Sequence, residues 1–256
     1  MVTEQREPGE LSRLIERTVA VQRVESSDTA LAERLRELRH WQAARLARTY
    51  EDLARDARQA PAIQFFLTDL YGPQDFGPRD RDLARAGPLL QRTLPRGALR
   101  VLIDAIELYA LSAELDQALA RALPPGPICP ASYAHAYRAA GRAADRQHQI
   151  DLIVRIGERL ARAVREPLIG LALRATHVPA HLAGFGALED FLERGFDAFH
   201  RLGDAHIFLD AIRARESALS DVLLRGDASV LGAGAGPSRS RSARSPSAGV
   251  PVKPNA

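Results

Sequence analysis

The 256-residue chain is 46% apolar, enough for a substantial hydrophobic core, which excludes a disordered or fibrous protein. The formal net charge is +3, and four of the basic residues lie in the acid-free segment 237–256, so the rest of the chain is close to neutral. Because binding of phosphate backbones requires a concentrated basic surface, we expect no nucleic-acid partner.

A single cysteine, Cys129, excludes an intrachain disulfide and any cysteine-rich zinc or iron–sulfur cage. The amino terminus, MVTEQREPGE, lacks the apolar region of a signal peptide. No later stretch approaches the roughly 18 consecutive uncharged apolar residues of a membrane-spanning helix. We therefore expect a cytoplasmic protein and no membrane partner.

Apolar residues recur at helical spacing along most of the chain, and alternating runs of β-branched residues are absent, so the sequence predicts an all-α fold. The first helix contains Leu11 to Val19. Asp28 is the predicted N-cap of a long second helix that extends to Leu53. A third helix is predicted over Ala60 to Tyr71, and Gly77-Pro78 suits the start of a fourth.

A fifth helix is predicted over Arg96 to Leu123 and a sixth over Ala131 to Arg142. A seventh runs from about Asp145 to Ala175 with a kink at Pro167. The last helical region is predicted to divide at Gly203-Asp204, where a glycine C-cap meets an aspartate N-cap.

These elements predict a compact bundle of seven to nine helices that forms a single domain over residues 8–226. Residues 1–7 are expected to be a flexible amino terminus. Residues 227–256 are rich in Ser, Arg, Pro and Gly and contain too few apolar residues to order themselves, so they are expected to form a disordered tail.

Aromatic and acidic residues are concentrated in FFLTDLYGPQDFGPRD, residues 65–80. This segment resembles the motif of an uncharacterised bacterial family of FFLEELY-motif proteins, although Thr68 and Asp69 stand where that motif has two glutamates. The resemblance implies helical structure, no established activity and no catalytic residues. The residues of interest are Phe65, Phe66, Leu67, Asp69, Leu70, Tyr71, Gly72, Asp75, Phe76, Arg79 and Asp80.

The helical part of this motif is predicted to be buried on more than one side, because Phe65 and Asp69 point away from the face of Phe66 and Leu67. In the loop that follows, the acids are expected to cap helices or to pair with Arg79. The alternative is that the exposed aromatic rings form a partner-binding patch; those rings are Phe65, Tyr71 and Phe76.

Three charged residues fall inside apolar stripes: Asp116 on the fifth helix, Arg146 on the seventh and Arg215 on the last. An isolated buried charge costs several kcal/mol, so we expect Asp116 to pair with Arg146 or Arg215 and expect Asp116→Ala to be strongly destabilising. The cluster is either a structural ion pair or a polar pocket for a polar or anionic ligand. The hydrogen-bonding neighbours expected in such a pocket are Tyr71, Tyr109 and Gln149.

The remaining charged residues indicate solvated surfaces. Asp104 and Gln117 fall on the predicted solvent face of the fifth helix, and Arg159 falls on that of the seventh. His177 and His181 have a spacing that chelates zinc on a helix, but the proline between them predicts a loop, so no metal site is expected.

Cys129 lies in a proline-rich connection with no base nearby in sequence, and no Gly-x-Ser-x-Gly elbow occurs, so we predict neither catalytic residues nor a cofactor. The leading hypothesis is a non-catalytic interaction or scaffolding module with an unknown protein partner or self-association through an amphipathic helix. The alternatives are a small-molecule-binding protein or enzyme built around the polar cluster, and peripheral membrane association through residues 164–186. A pocket requires a large polar cavity, whereas a scaffold requires an exposed apolar patch.

Overall fold

The structure, a computed structural model, describes residues 9–70 and 96–232. Within these ranges it contains eleven α-helices, one π-helical turn and no strand. Eight of the α-helices are 11 residues or longer, which confirms the predicted all-α bundle. The predicted flexible amino terminus and the predicted fourth helix at Gly77-Pro78 lie outside the described residues.

The helices are α1 (Glu10–Ser27), α2 (Thr29–Thr49), α3 (Glu51–Ala54), α4 (Ala60–Phe65) followed by the π-helical turn (Phe66–Leu70), α5 (Arg96–Ala122), α6 (Pro130–Ala140), α7 (Ala143–Ala163), α8 (Pro167–Leu182), α9 (Gly186–Leu202), α10 (His206–Leu224) and α11 (Ser229–Gly232).

The predicted cap of α2 is confirmed, because Oδ1 of Asp28 accepts a hydrogen bond from the amide of Leu31 at 3.0 Å. The prediction of one helix through Leu53 is wrong, since Tyr50 leaves helical geometry at φ −113° and separates α2 from α3. The Tyr50 hydroxyl lies 2.8 Å from Oε1 of Glu216 on α10. The break therefore turns a buried tyrosine toward a neighbouring helix.

The predicted seventh helix is two helices, because α7 ends at Ala163 and α8 begins at Pro167. Proline disfavours helical geometry in the residue before it, and Glu166 is extended at ψ 109°. The helix α8 then continues through Pro179, so the prediction that His177 and His181 are loop residues is also wrong. Pro179 lies in the last turn of an exposed helix, where losing one internal hydrogen bond is tolerated.

The predicted division at Gly203-Asp204 and the glycine C-cap are confirmed, but the N-cap of α10 is Ala205 rather than Asp204. Gly203 has a φ of 71°, and Oδ1 of Asp204 accepts a hydrogen bond from the amide of His206 at 3.0 Å. The ordered fold continues beyond residue 226, where the sequence predicts a tail. Leu231 in α11 is buried and packs against the cluster that contains Tyr133, so residues 228–232 belong to the domain. Residues 233–256 lie outside the described part.

The helix α5 lies at the centre of the fold and packs against α1, α2, α6 and α7, while α10 packs against α6 and α7. Two large apolar clusters result, one around Phe208 and Leu209 and the other around Leu35 and Tyr133. The helix α9 packs on α4, and α8 packs chiefly on α9. This arrangement leaves a partly polar cavity between the central helices and places α8 at the edge.

Candidate functional site

A cavity of about 70 Å³ lies between α2, the end of α4, α5, α6, α7 and α10. Phe66 and Leu67 of the aromatic motif form part of its apolar wall. Its polar lining residues are Gln42, Arg45, Asp116, Tyr133, Tyr137, Arg146, Gln149, Glu216 and Ser220. The structure thus brings three residues of the predicted polar cluster together, namely Asp116, Arg146 and Gln149.

Asp116 lies in this cavity but does not have the predicted partner. Nε2 of Gln42 donates to its Oδ1 at 3.1 Å, and Nε of Arg39 lies 3.8 Å from its Oδ2. Burial raises the pKa of the Asp116 carboxyl, and the nearby charges of Arg39 and Arg146 only partly oppose that effect. The predicted direct pairing with Arg146 or Arg215 is therefore wrong.

The guanidinium of Arg146 is held by an aromatic ring and an amide. It lies 4.8 Å from the ring centroid of Tyr137, and Nη1 donates to Oε1 of Gln149 at 3.2 Å. Nε2 of Gln149 in turn donates to the hydroxyl of Ser112 at 2.7 Å. Within the described ranges, no carboxylate lies within 4.0 Å of Arg146. Cation–π attraction and the Gln149 amide stabilise this buried charge.

Arg215 lies outside the cavity. It binds Asp52 with Nη1 to Oδ1 at 2.7 Å and Nη2 to Oδ2 at 2.5 Å, and it also donates to the carbonyl of Thr49. The next residue, Glu216, points into the cavity, and consecutive residues on a helix project in directions about 100° apart. Arg215 therefore points toward α3 instead.

Tyr109 lies on α5 two turns before Asp116 and does not line the cavity. Its hydroxyl accepts a hydrogen bond from Nε2 of Gln22 on α1 at 3.2 Å. Tyr71, the remaining predicted neighbour, lies outside the described residues.

The cavity contains an ion pair that the sequence did not predict, between Arg45 and Glu216. Nη1 of Arg45 lies 2.9 Å from Oε1 of Glu216, the oxygen that also binds the Tyr50 hydroxyl. Burial alone would lower the pKa of the Arg45 guanidinium, but Glu216, Tyr133 and Tyr50 together outweigh burial and raise that pKa. The sequence of α2 does indicate that Arg45 is buried, because Arg45 shares one face of that helix with Leu38 and Gln42.

The prediction that Asp104 and Gln117 of α5 face solvent is wrong. Asp104 is fully buried and forms an ion pair with Arg159, and Gln117 is buried and donates to the carbonyl of Val21 at 2.9 Å. Asp104 of α5 therefore meets Arg159 of α7 rather than water, whereas Arg100, Arg121 and Arg162 are exposed. The opposite charges of Asp104 on α5 and Arg159 on α7 were the only feature of the sequence that indicated this ion pair.

The described part of the aromatic motif is buried on more than one side, as predicted. Phe65 is buried with its ring centroid 5.3 Å from that of Phe191, and Oδ1 of buried Asp69 accepts from Nε of Arg194 at 2.8 Å. An exposed patch that includes Phe65 is therefore excluded. The side chain of Leu70 and the whole of Tyr71, Gly72, Asp75, Phe76, Arg79 and Asp80 lie outside the described residues.

The most exposed apolar surface in the described ranges lies on α8, which carries five of their nine exposed large apolar side chains. Leu168, Leu171, Val178 and Leu182 are 77%, 60%, 62% and 85% exposed. With exposed Ala175, they follow one another at alternating intervals of three and four residues. We call these five residues the α8 seam. The opposite side of the helix packs on α9, where a Cβ added at Gly170 would meet Phe196 at 2.9 Å.

No described helix combines the length and the apolar content that crossing a membrane requires. A family model described as Domain of unknown function (DUF8198) matches residues 21–230. The chain belongs to this family. The DUF8198 match spans both the cavity and the α8 seam, and it confirms the expectation of an uncharacterised family. No curated protein and no solved structure matches the chain.

Proposed function

We propose that this DUF8198 protein is a non-catalytic interaction module that self-associates through the α8 seam. The observation that supports this proposal is the heptad-like spacing of the seam's exposed apolar residues. A period of 3.5 residues is the one at which two helices pack side chains into each other's holes. Burying this surface against another helix removes it from water, which is favourable in proportion to the apolar area covered.

A second copy of the chain is the occupant that the seam fits best. None of the five seam residues is charged, so a copy can face the same surface without charge repulsion at its centre, as a two-fold interface requires. The small side chain of Ala175 lies at the middle and permits close approach of the helices. Arg174 is the only arginine in α8, whereas membrane-surface helices are rich in Lys and Arg.

The size of the cavity supports the same proposal. At about 70 Å³ it is far below the roughly 300–1,000 Å³ of typical ligand pockets. A buried water needs roughly 10–15 Å³ of such space, so the cavity has room for a few water molecules. Its charged residues are also largely stabilised by groups of the same protein, such as Glu216 for Arg45.

The test is the mass of the full chain measured by sedimentation velocity and by light scattering over a range of concentrations. We expect a dimer for the wild type and for Ile207→Glu, which alters a 74% exposed apolar residue outside the seam. We expect Leu171→Glu and Val178→Glu to be folded monomers by circular dichroism. A monomeric wild type, or seam variants that remain dimeric, would contradict the proposal. A monomer that co-sediments with anionic phospholipid vesicles would point to the membrane alternative.

A small-ligand function is the second candidate, and Arg146 is the observation that favours it. This buried cation lines the cavity with no described carboxylate within ion-pair distance. The volume limits the ligand to a small anion. A rise in melting temperature with formate or acetate that Arg146→Gln abolishes would support this candidate, and an unchanged melting temperature would remove it.

We also infer that the chain is an FFLEELY-type bacterial protein of the cytoplasm. Phe65, Phe66 and Leu67 support the motif, and the free, exposed thiol of Cys129 suits a reducing compartment. Fractionation of cells that produce the protein tests the location. Recovery outside the cytoplasmic fraction would contradict this inference.

A further inference from the structure

We infer that His177, His181 and Asp190 form a binding site for a divalent transition metal of the zinc class, at the end of the α8–α9 hairpin. One ligand atom from each of the three residues lies within 4.8 Å of the others. This site uses residues outside the seam, and it goes beyond the proposed self-association.

The helical path through Pro179 makes the site possible. His177 and His181 are four residues apart on α8, so they lie on the same side of the helix, and their ring centroids are 4.5 Å apart. The chain then reverses through residues 183–185 and begins α9. A Cβ added at Gly186 would meet Nδ1 of His181 at 2.6 Å, so the glycine allows the imidazole to lie against the start of α9.

Both imidazoles already face carboxylates of α9. Nε2 of His181 lies 2.9 Å from Oδ1 of Asp190, and Nδ1 of His177 lies 3.1 Å from Oε2 of Glu193. Nδ1 of His177 is a buried atom without a well-aligned hydrogen bond. A nitrogen so placed needs only a small rotation of Glu193 to donate to that carboxylate. This contact would orient the ring so that Nε2 offers its lone pair to the metal.

The donor set and the spacing suit a small borderline cation. Two imidazole nitrogens and one carboxylate oxygen are donors that zinc accepts, with bonds of about 2.0–2.2 Å. Tetrahedral geometry requires neighbouring ligand atoms about 3.3 Å apart, so the observed separations must shorten by up to about 1.5 Å. The side chains of His177, His181 and Asp190 are 41%, 43% and 41% exposed, which leaves them free to rotate inward. A water molecule would complete the fourth position.

The test is titration of the full, chelator-treated chain with Zn²⁺ alone, followed by calorimetry and by metal analysis after desalting. We expect saturable binding of one ion per chain and a rise in melting temperature. The paired substitution His177→Ala with His181→Ala should abolish both effects. Glu193→Gln should weaken binding about 10-fold, as loss of a carboxylate behind a ligand histidine typically does.

His135→Ala is the matched control, because His135 is an exposed helical histidine far along the chain from the site. It should bind Zn²⁺ like the wild type, and so should the seam variant Leu171→Glu, which separates this inference from the proposed function. Zn²⁺ binding that survives the paired histidine substitution would overturn the inference. Loss of all bound Zn²⁺ from the wild type on desalting would also overturn it.

Discussion

Side chains around the cavity have partners within the protein, whereas apolar side chains on α8 of the α8–α9 hairpin are exposed to solvent. Around the cavity, buried charges are stabilised by groups of the protein itself, as Arg45 is by Glu216 on α10 and Arg146 is by Tyr137 and Gln149. On α8, apolar side chains such as Leu182 lie in water with no partner among the described residues. Burying a charge is costly, so buried charges need partners within the fold whether or not they have a function. A contiguous exposed apolar surface is unfavourable in water, so it is the better indicator of an interaction with another molecule. The comparison therefore favours the proposed self-association through the α8 seam over a function at the cavity.

Truncating the same side chain in the two regions gives the sharpest contrast. Leu35 is fully buried, so Leu35→Ala should lower the free energy of unfolding by about 2–5 kcal/mol through lost burial and a cavity. Leu182 is 85% exposed, so Leu182→Ala should change it by less than about 0.5 kcal/mol. Urea unfolding in the monomeric Leu171→Glu background measures both. Equal losses would break the comparison.

Removing the carboxylate of Asp116 from the cavity tests how much its contacts contribute to stability. Asp116→Ala removes the carboxylate to which Nε2 of Gln42 donates and the charge 3.8 Å from Nε of Arg39, while Arg39 keeps its hydrogen bonds to Glu25, so we expect a loss of about 1–3 kcal/mol. The expectation is below that for an isolated buried pair because the Arg39 side chain is 31% exposed. Urea unfolding at neutral pH measures this loss, and an unchanged stability would show that the contacts of Asp116 are dispensable.

The pH dependence of stability should carry the signature of Asp116. Because burial raises its pKa in the folded state, the folded protein binds this proton more tightly than the unfolded chain does. Its contribution is present below the unfolded value of about 3.9 and is lost as the pH rises through the folded pKa. Asp116→Asn should remove that loss. The difference between the stability–pH curves of the wild type and of this variant measures the contribution of Asp116. Parallel curves would contradict the raised pKa.

Arg215→Ala should have a smaller effect than Asp116→Ala. Its ion pair with Asp52 lies at the surface, with side chains 25% and 49% exposed, and such pairs contribute about 0–1 kcal/mol. Thermal unfolding at low and high salt measures it, and the small loss should shrink further as salt screens the pair. A loss as large as that of Asp116→Ala would mean that Arg215 supports the cavity after all.

Local features of the sequence predicted many of the helices and their ends, whereas which helices pack against each other could not be predicted from the sequence. Asp28 and Gly203 act through the backbone next to them, so their roles were predictable. The burial of Asp104 depends on α7 lying against α5, and a helical wheel of α5 alone cannot show that. Pro179 led to the wrong prediction of a loop, because a proline in the last, exposed turn of α8 does not end the helix. The close approach of the His177 and His181 rings was therefore not predicted.

Native mass spectrometry of freshly purified, untagged chain tests the central claim most directly, since one spectrum reports both assembly and retained small molecules. The account predicts a dimer of the 27.9 kDa chain with no organic ligand, and a monomer when Leu171→Glu is introduced. A monomeric wild type that retains one small organic molecule per chain would contradict the account and move the function to the cavity.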